Sequence, residues 1–148
     1  MTRSSRRAQA VGEQYRETGL RLIRDARTIA VVDISADPLR PSHEVAAYLI
    51  DAGYEVYLVN PTLNAEVLGR RVYPSVASLP VRVDIVDVFR LPQHVPAVVA
   101  DAVAAGAGAV WMQLRIVNEA AAATARAAEI EVVMDRCTEI DHGLLWDA

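Results

Sequence analysis

A chain of 148 residues with 53% hydrophobic and 23% charged positions is long enough to bury about two-thirds of its unfolded surface around one core, which excludes a disordered or solvating tail. Its net charge of −4, with fifteen basic residues that are all arginine, excludes the clustered positive footprint of nucleic-acid binding. No apolar run approaches the ~20 residues of a bilayer span, and the single cysteine, Cys137, excludes an internal disulfide.

The chain opens with residues 1–25, where Ala8, Val11, Tyr15 and Leu22 share one helical stripe. A helical arm is expected there, packed on the rest of the chain or on a second copy in a homodimer. Arg3, Arg6 and Arg7 precede polar "AQAVGEQYRETG" rather than the apolar stretch of an export signal. A lone cysteine suits a reducing compartment, so the expected location is the cytoplasm.

Residues 26–148 are expected to form one domain of alternating elements. "TIAVVDI" (28–34) is a short β-branched run and reads as a strand. "SHEVAAYLIDAG" (42–53) sets Val45, Ala46, Leu49 and Ile50 on one helical face and ends in Gly53, suited to a left-handed cap. "YEVYLVNP" (54–61) is a second strand, halted by Pro61. Strand, helix and strand within so short a span make one parallel crossover unit. In "TLNAEVLGRRVYPSVASLP" (62–80), Val72 and Tyr73 indicate a short strand and Ser75–Leu79 a helical turn.

"VDIVDVF" (83–89) reads as a central strand despite Asp84 and Asp87, whose plainer role is to bond a loop. "PQHVPAVVADAVAAGA" (92–107) is a helix that tolerates Pro96 only in its first turn. "AVWMQL" (109–114) is a strand, "NEAAAATARAAEI" (118–130) a helix, and "EVVMDR" (131–136) the last strand. Such alternation predicts an α/β fold: a three-layer α/β/α arrangement with a mostly parallel sheet of five to six strands, plus the N-terminal helix.

Ligands of such sheets sit beyond the carboxyl ends of the strands, where strand order reverses. That rule gathers residues 33–42, Asn60-Pro61, Phe89 to Pro92, Gln113 to Asn118 and Asp135 to Cys137 on one rim. A nicotinamide dinucleotide fits poorly, because the first loop lacks G-x-G-x-x-G and Asn60-Pro61 stands where an acidic residue would hold the ribose. Zinc is not expected either, since only Cys137 and His142 are good ligands near one another in sequence. His43 and His94 read as ordinary surface residues, and no Ser-His-Asp arrangement emerges from spacing.

Six stretches together, "RPS" (40–42), "VNP" (59–61), "VLGRRVYPSVASLP" (67–80), "VDIVDVF" (83–89), "MQLRIVNEAAA" (112–122) and "VVMDRC" (132–137), resemble the small stand-alone CoA-binding domain proteins. These are similar to the N-terminal domain of the succinyl-CoA synthetase α subunit. The resemblance spans most of residues 20–142, and it implies a Rossmann-like fold and a protein that binds coenzyme A, or a related adenine nucleotide, without a well-defined reaction. It implies that Ser35, Arg40 and Ser42 form a phosphate loop, Asn60 and Pro61 a turn beneath the adenosine, Phe89 and Arg90 a wall beside the adenine, and Gln113 and Asn118 the pantetheine side.

Two residues depart from that pattern. Asp33 and Arg115 stand where the family has glycine. A carboxylate ~4 Å from a phosphate costs about 4 kcal/mol near a protein surface. Pairing of Asp33 with Arg115 across the rim would cancel that repulsion and also fill the pocket. Two other readings stay open: a degenerate member with a blocked pocket that works as an interaction protein, and a thiol or acyl-CoA enzyme using Cys137.

Overall fold

The computed structural model describes residues 11–146. Arg3, Arg6, Arg7 and Ala8, singled out above, lie outside the described residues. A helical turn at 11–14 leads into α1 (Arg16–Asp25), followed by β1 (Thr28–Val32), α2 (Pro41–Asp51) and β2 (Glu55–Val59). Next come β3 (Glu66–Val67), β4 (Arg70–Tyr73) and β5 (Ile85–Val88), with a 3-10 turn at Val76–Ser78. A 3-10 turn at Pro92–His94 precedes α3 (Val95–Ala104); then follow β6 (Ala109–Met112), α4 (Glu119–Ala127), β7 (Glu131–Val133) and α5 (Thr138–Leu144).

The strands form one seven-stranded sheet in the order β3-β4-β2-β1-β5-β6-β7. Every pairing is parallel except β3 with β4. Leaving out β3, the six parallel strands follow the doubly wound Rossmann order, with the switch point between β1 and β5. The chain is therefore the Rossmann-like α/β fold that the alternation and the resemblance together imply, with seven strands rather than five to six.

Strand β3 and one helix escape the sequence pattern, whereas β4 contains the short strand expected at Val72 and Tyr73. β3 and β4 make a hairpin whose two-residue turn is Leu68-Gly69, with φ of 54° and 70°. Both residues being left-handed marks the twist-matched hairpin turn, which leucine disguises because asparagine or aspartate normally precedes the glycine. Helix α5 has only seven residues and no apolar stripe. It is held by tertiary bonds instead.

Side-chain alternation divides the core between the two faces of the sheet. Ala30, Val32, Val86 and Val88 pack with Val98, Val99, Ala121 and Ala125 from α3 and α4. Ile29, Val31, Ile85 and Trp111 pack on the other face with Ile23 of α1 and Val45, Ala46 and Leu49 of α2. Strand β1 is buried on both faces, as a central parallel strand must be.

Helix α1 packs against α5, and two glycines let it approach. A Cβ on Gly12 would stand 2.4 Å from the Asp135 carbonyl, and one on Gly19 would stand 2.7 Å from Asp141 Oδ2 and 3.1 Å from the Trp111 ring. Beneath them lies a two-pronged ion pair: Arg136 Nε and Nη2 donate to Asp141 at 2.8 and 2.6 Å, and Arg136 Nη1 donates to the Gly12 carbonyl at 3.1 Å. Asp141 is 1% exposed, so it cannot swing clear of an added methyl.

Gly19→Ala should therefore destabilise, since overpacking of ~1–3 kcal/mol outweighs the ~1 kcal/mol gain in helix propensity. Thermal unfolding should show a melting temperature lower by roughly 2–6 °C. Gly143→Ala in α5 is the matched control. Its Cβ would meet nothing within 4 Å, so only the propensity gain remains and the melting temperature should rise by roughly 1–3 °C.

Candidate functional site

The site begins where β1 stops. Asp33 takes a φ of 74°, and its N–H and that of Ile34 both donate to the Val59 carbonyl of β2, at 2.8 and 3.2 Å. The left-handed turn lifts the chain off the sheet into the loop before α2. The loop is tied internally, Ser35 N–H donating to Ser42 Oγ at 3.0 Å and Asp37 N–H to Ser35 Oγ at 3.1 Å. Ser42 is thus buried inside the turn and does not cap α2, whose N-cap is Arg40 with Pro41 in the first position. Asn60 fastens the same loop to β2: Nδ2 donates to the Ile34 carbonyl at 2.8 Å, while Oδ1 accepts from Thr62 N–H and hydroxyl, each at 2.9 Å.

These turns enclose a cleft of about 530 Å³, lined among others by Asp33, Ser35, Arg40, Ser42, Asn60 and Phe89. A second cleft of about 540 Å³ lies between α2 and α5, lined among others by Glu44, Phe89, Gln113, Arg115 and Cys137. Pro41 and Phe89 border both clefts. The two clefts are therefore neighbours at the switch point. The first offers an arginine and the Ser42 N–H at a helix start, those of His43 and Glu44 being bonded to the Arg40 carbonyl, and these suit an anion. The second is more apolar, with Val45, Leu114, Ile116 and Ile140 in its walls.

The expected Asp33–Arg115 bridge is not formed. Asp33 Oδ1 accepts instead from Arg90 Nε at 3.2 Å. Strand order explains the exchange of partners. β5, which leads to Arg90, adjoins β1, whereas β6, which leads to Arg115, is one strand further away. Arg115 turns at φ 67° with its N–H on Asp135 Oδ1 at 2.6 Å. The corner at Asp33 is open.

Other sequence-chosen residues separate. Pro61 lines a neighbouring depression beyond the Asn60 turn. Arg90 reaches the site through Asp33. Asn118 borders neither cleft, because it caps α4 by accepting from Ala121 N–H at 2.9 Å while Nδ2 donates to the Pro92 carbonyl at 2.9 Å. Among the described residues no group of three or more His, Cys, Asp or Glu is placed to hold a metal ion. No helix of the described residues is long and apolar enough to cross a membrane.

Beneath the second cleft lies a polar cluster that sequence reasoning left as a bystander. Asp87 is fully buried on β5; its oxygens accept from Gln113 Nε2 at 2.6 Å and from the Thr138 hydroxyl at 2.8 Å. Burial pushes the Asp87 carboxyl up to about 7, against the pull of those two hydrogen bonds. Asp84, by contrast, lies before the strand and binds the N–H groups of Arg27 and Thr28 at 2.8 and 3.1 Å, the loop-holding role expected of it. Burial raises the Asp84 carboxyl, but these bonds outweigh it and hold it below the usual range. The Cys137 thiol is pushed up, chiefly by burial, more than the N–H groups of Ile140 and Glu139 draw it down. A raised thiol lacks the activation of a catalytic cysteine.

The sequence pattern of the CoA binding domain matches residues 27–143. The chain belongs to the CoA-binding domain family. It is 35% identical over 123 residues to the uncharacterised protein YneT of Bacillus subtilis, covering 83% of this chain and 90% of that one. Its fold is similar to that of a hypothetical protein from Pyrococcus horikoshii, with TM-score 0.83, 36% identity, and 88% and 91% of the two chains covered. It is also similar to part of a dinucleotide-forming acetyl-coenzyme A synthetase from Ca. Korarchaeum cryptofilum, solved in complex with phosphate and ADP. There the TM-score is 0.64, the identity 27%, and the coverage 72% of this chain and 25% of that one.

A carboxyl whose folded pKa lies above its unfolded value near 4 binds more protons folded than unfolded between those two values. Asp87 therefore contributes stability that is fully present below about pH 4 and is lost as pH rises through about 7. The difference between wild-type and Asp87→Asn unfolding free energies should fall across that window and be flat above it. A flat difference throughout would show that Asp87 titrates normally. For Cys137, alkylation at pH 8 should run at least ~10-fold slower than that of free cysteine.

Proposed function

We propose that the protein binds coenzyme A, or a closely related adenine nucleotide, and holds it without converting it. The observation that carries this reading is the adjacency of the two clefts at Pro41 and Phe89, one polar and one more apolar, matched to a ligand with an anionic head and a long arm. Ser35 and Arg40 contact the diphosphate beside the start of α2, and Ser42 supports them by fixing the loop. Asn60 underlies the adenosine, with Phe89 beside the adenine. The arm runs past Phe89 toward Gln113 and Arg115. Membership of the CoA-binding domain family supports the ligand class.

Asp33 is the residue that works against this ligand, and Arg90 lessens its effect. The pair is partly exposed, the Asp33 side chain at 37%, so solvent screens much of its charge. The carboxylate weakens the site without closing it. Holding without conversion accords with the Cys137 thiol, which is shifted away from reactivity rather than toward it.

Titration calorimetry with CoA should give a saturable heat, and a hundredfold excess over the dissociation constant should add ~2.7 kcal/mol, or roughly 5–10 °C in melting temperature. Absence of both signals at millimolar CoA and ADP would overturn the reading. Asp33→Gly should tighten CoA about tenfold, well short of the unscreened ~4 kcal/mol of a like-charge contact. Unchanged or weaker affinity in that variant would show that the carboxylate does not oppose the ligand.

A further inference from the structure

Gln113 borders the second cleft with 5% of its surface exposed. A primary amide has two N–H donors and one carbonyl acceptor. The nitrogen faces inward, Nε2 standing 2.6 Å from Asp87 Oδ1 and 3.1 Å from Thr138 Oγ1. The Thr138 hydroxyl gives its hydrogen to Asp87 Oδ2 at 2.8 Å, so its lone pairs are left for the amide. The cluster therefore has a single polarity. An ionised carboxylate only accepts, and turning the amide over would set carbonyl against carboxylate in a place with little water to relieve them. No described residue donates to Gln113 Oε1, which leaves that oxygen for the cleft.

We propose that Asp87 and Thr138 are positioning residues that hold the Gln113 amide with its carbonyl outward, so that the second cleft selects a ligand carrying an N–H donor of the kind a secondary amide presents. The inference rests on the proposed function, in which the amide-bearing arm of CoA occupies this cleft. It adds the polarity that the cleft demands and the two residues that impose it. Neither touches the ligand.

One further titratable group, Cys137 next to Thr138, interacts electrostatically with Asp87. Glu139 interacts with Glu44 of α2, and both line the cleft together with Arg115. No described cation bonds the carboxylate, whose partners are Gln113 and Thr138. Once protonated, Asp87 is both donor and acceptor and tolerates either amide orientation. With its carboxyl pushed up to about 7 by burial, the selectivity should fade between about pH 8 and pH 6.

Two measurements test this. In ligand-free, nitrogen-15-labelled protein at pH 8, the Gln113 side-chain N–H pair, identified by its loss in Gln113→Leu, should exchange with water at least ~10-fold more slowly than that of exposed Gln93. Asp87→Asn, which accepts either amide orientation, and Thr138→Val should speed that exchange; Thr138→Ser should not. In calorimetry, both disruptive variants should weaken CoA roughly five- to tenfold while leaving ADP, which lacks the arm, within about twofold. The wild type should show the same selective loss between pH 8 and pH 6.

Equal losses for CoA and ADP, or rapid Gln113 exchange in the wild type, would overturn the proposal. If neither ligand binds the wild type, the proposed function falls by itself, and slow exchange still supports the positioning role. Pantetheine alone then serves as the donor probe. Binding that is weakened in Asp87→Asn supports the selection, and no binding ends it.

Discussion

The site depends on how abruptly the parallel strands leave the sheet at its carboxyl edge. Asp33, Arg115 and Asp135 follow β1, β6 and β7 with φ of 74°, 67° and 57°. Each conformation costs an L-residue on the order of 1 kcal/mol. Without such turns, the loop before α2 and the segment after β6 would run on past the sheet and would not fold back over its edge. The same geometry is one that glycine would meet without strain at positions 33 and 115. The backbone there needs the left-handed region, and a side chain is an addition that this protein tolerates. Aspartate, which visits that region more readily than most residues, is among the less costly choices.

Much of the architecture was legible because each element carries its own period. Strand β1 is a β-branched run, α2 has a stripe at 45, 46 and 49, and Gly53 at φ 101° ends that helix segment as its position implies. What was not legible depends on neighbours that sequence does not order. Asp33 was matched with Arg115 because both depart from the family pattern, yet only strand order decides which rim loops touch, and it gives Asp33 to Arg90. Helix α5 has no apolar rhythm because its anchors are polar: Thr138 on Asp87 and Asp141 on Arg136. Ser42 was placed in a phosphate loop, yet it lies one residue inside the helix and its hydroxyl accepts from Ser35 N–H instead of facing the cleft freely.

Polar side chains inside this protein are concentrated on one side of the sheet. The face covered by α3 and α4 is filled mainly by valine and alanine. The other face buries Asp87, Gln113, Thr138 and Asp141, and each of them is bonded. Such groups add little net stability, since the desolvation of a carboxylate offsets most of what its partners return. Their value lies in direction. An apolar core accepts many packings of similar energy, whereas Asp87 with two donors accepts few, and it fixes the start of α5 against β5 and β6. The wall of the second cleft inherits that rigidity.

The docking of α1 also constrains the order in which the protein can assemble. Arg21 is paired with Glu131, and Gly12 with Arg136, contacts separated by more than a hundred residues of chain. During synthesis the helix emerges long before β7 and α5, and only its packing through Ile23 on β1 and α2 can form early. Closing the larger loop is slow compared with forming the local crossover units. Locking of α1 against β7 and α5 should accordingly be a late step in folding.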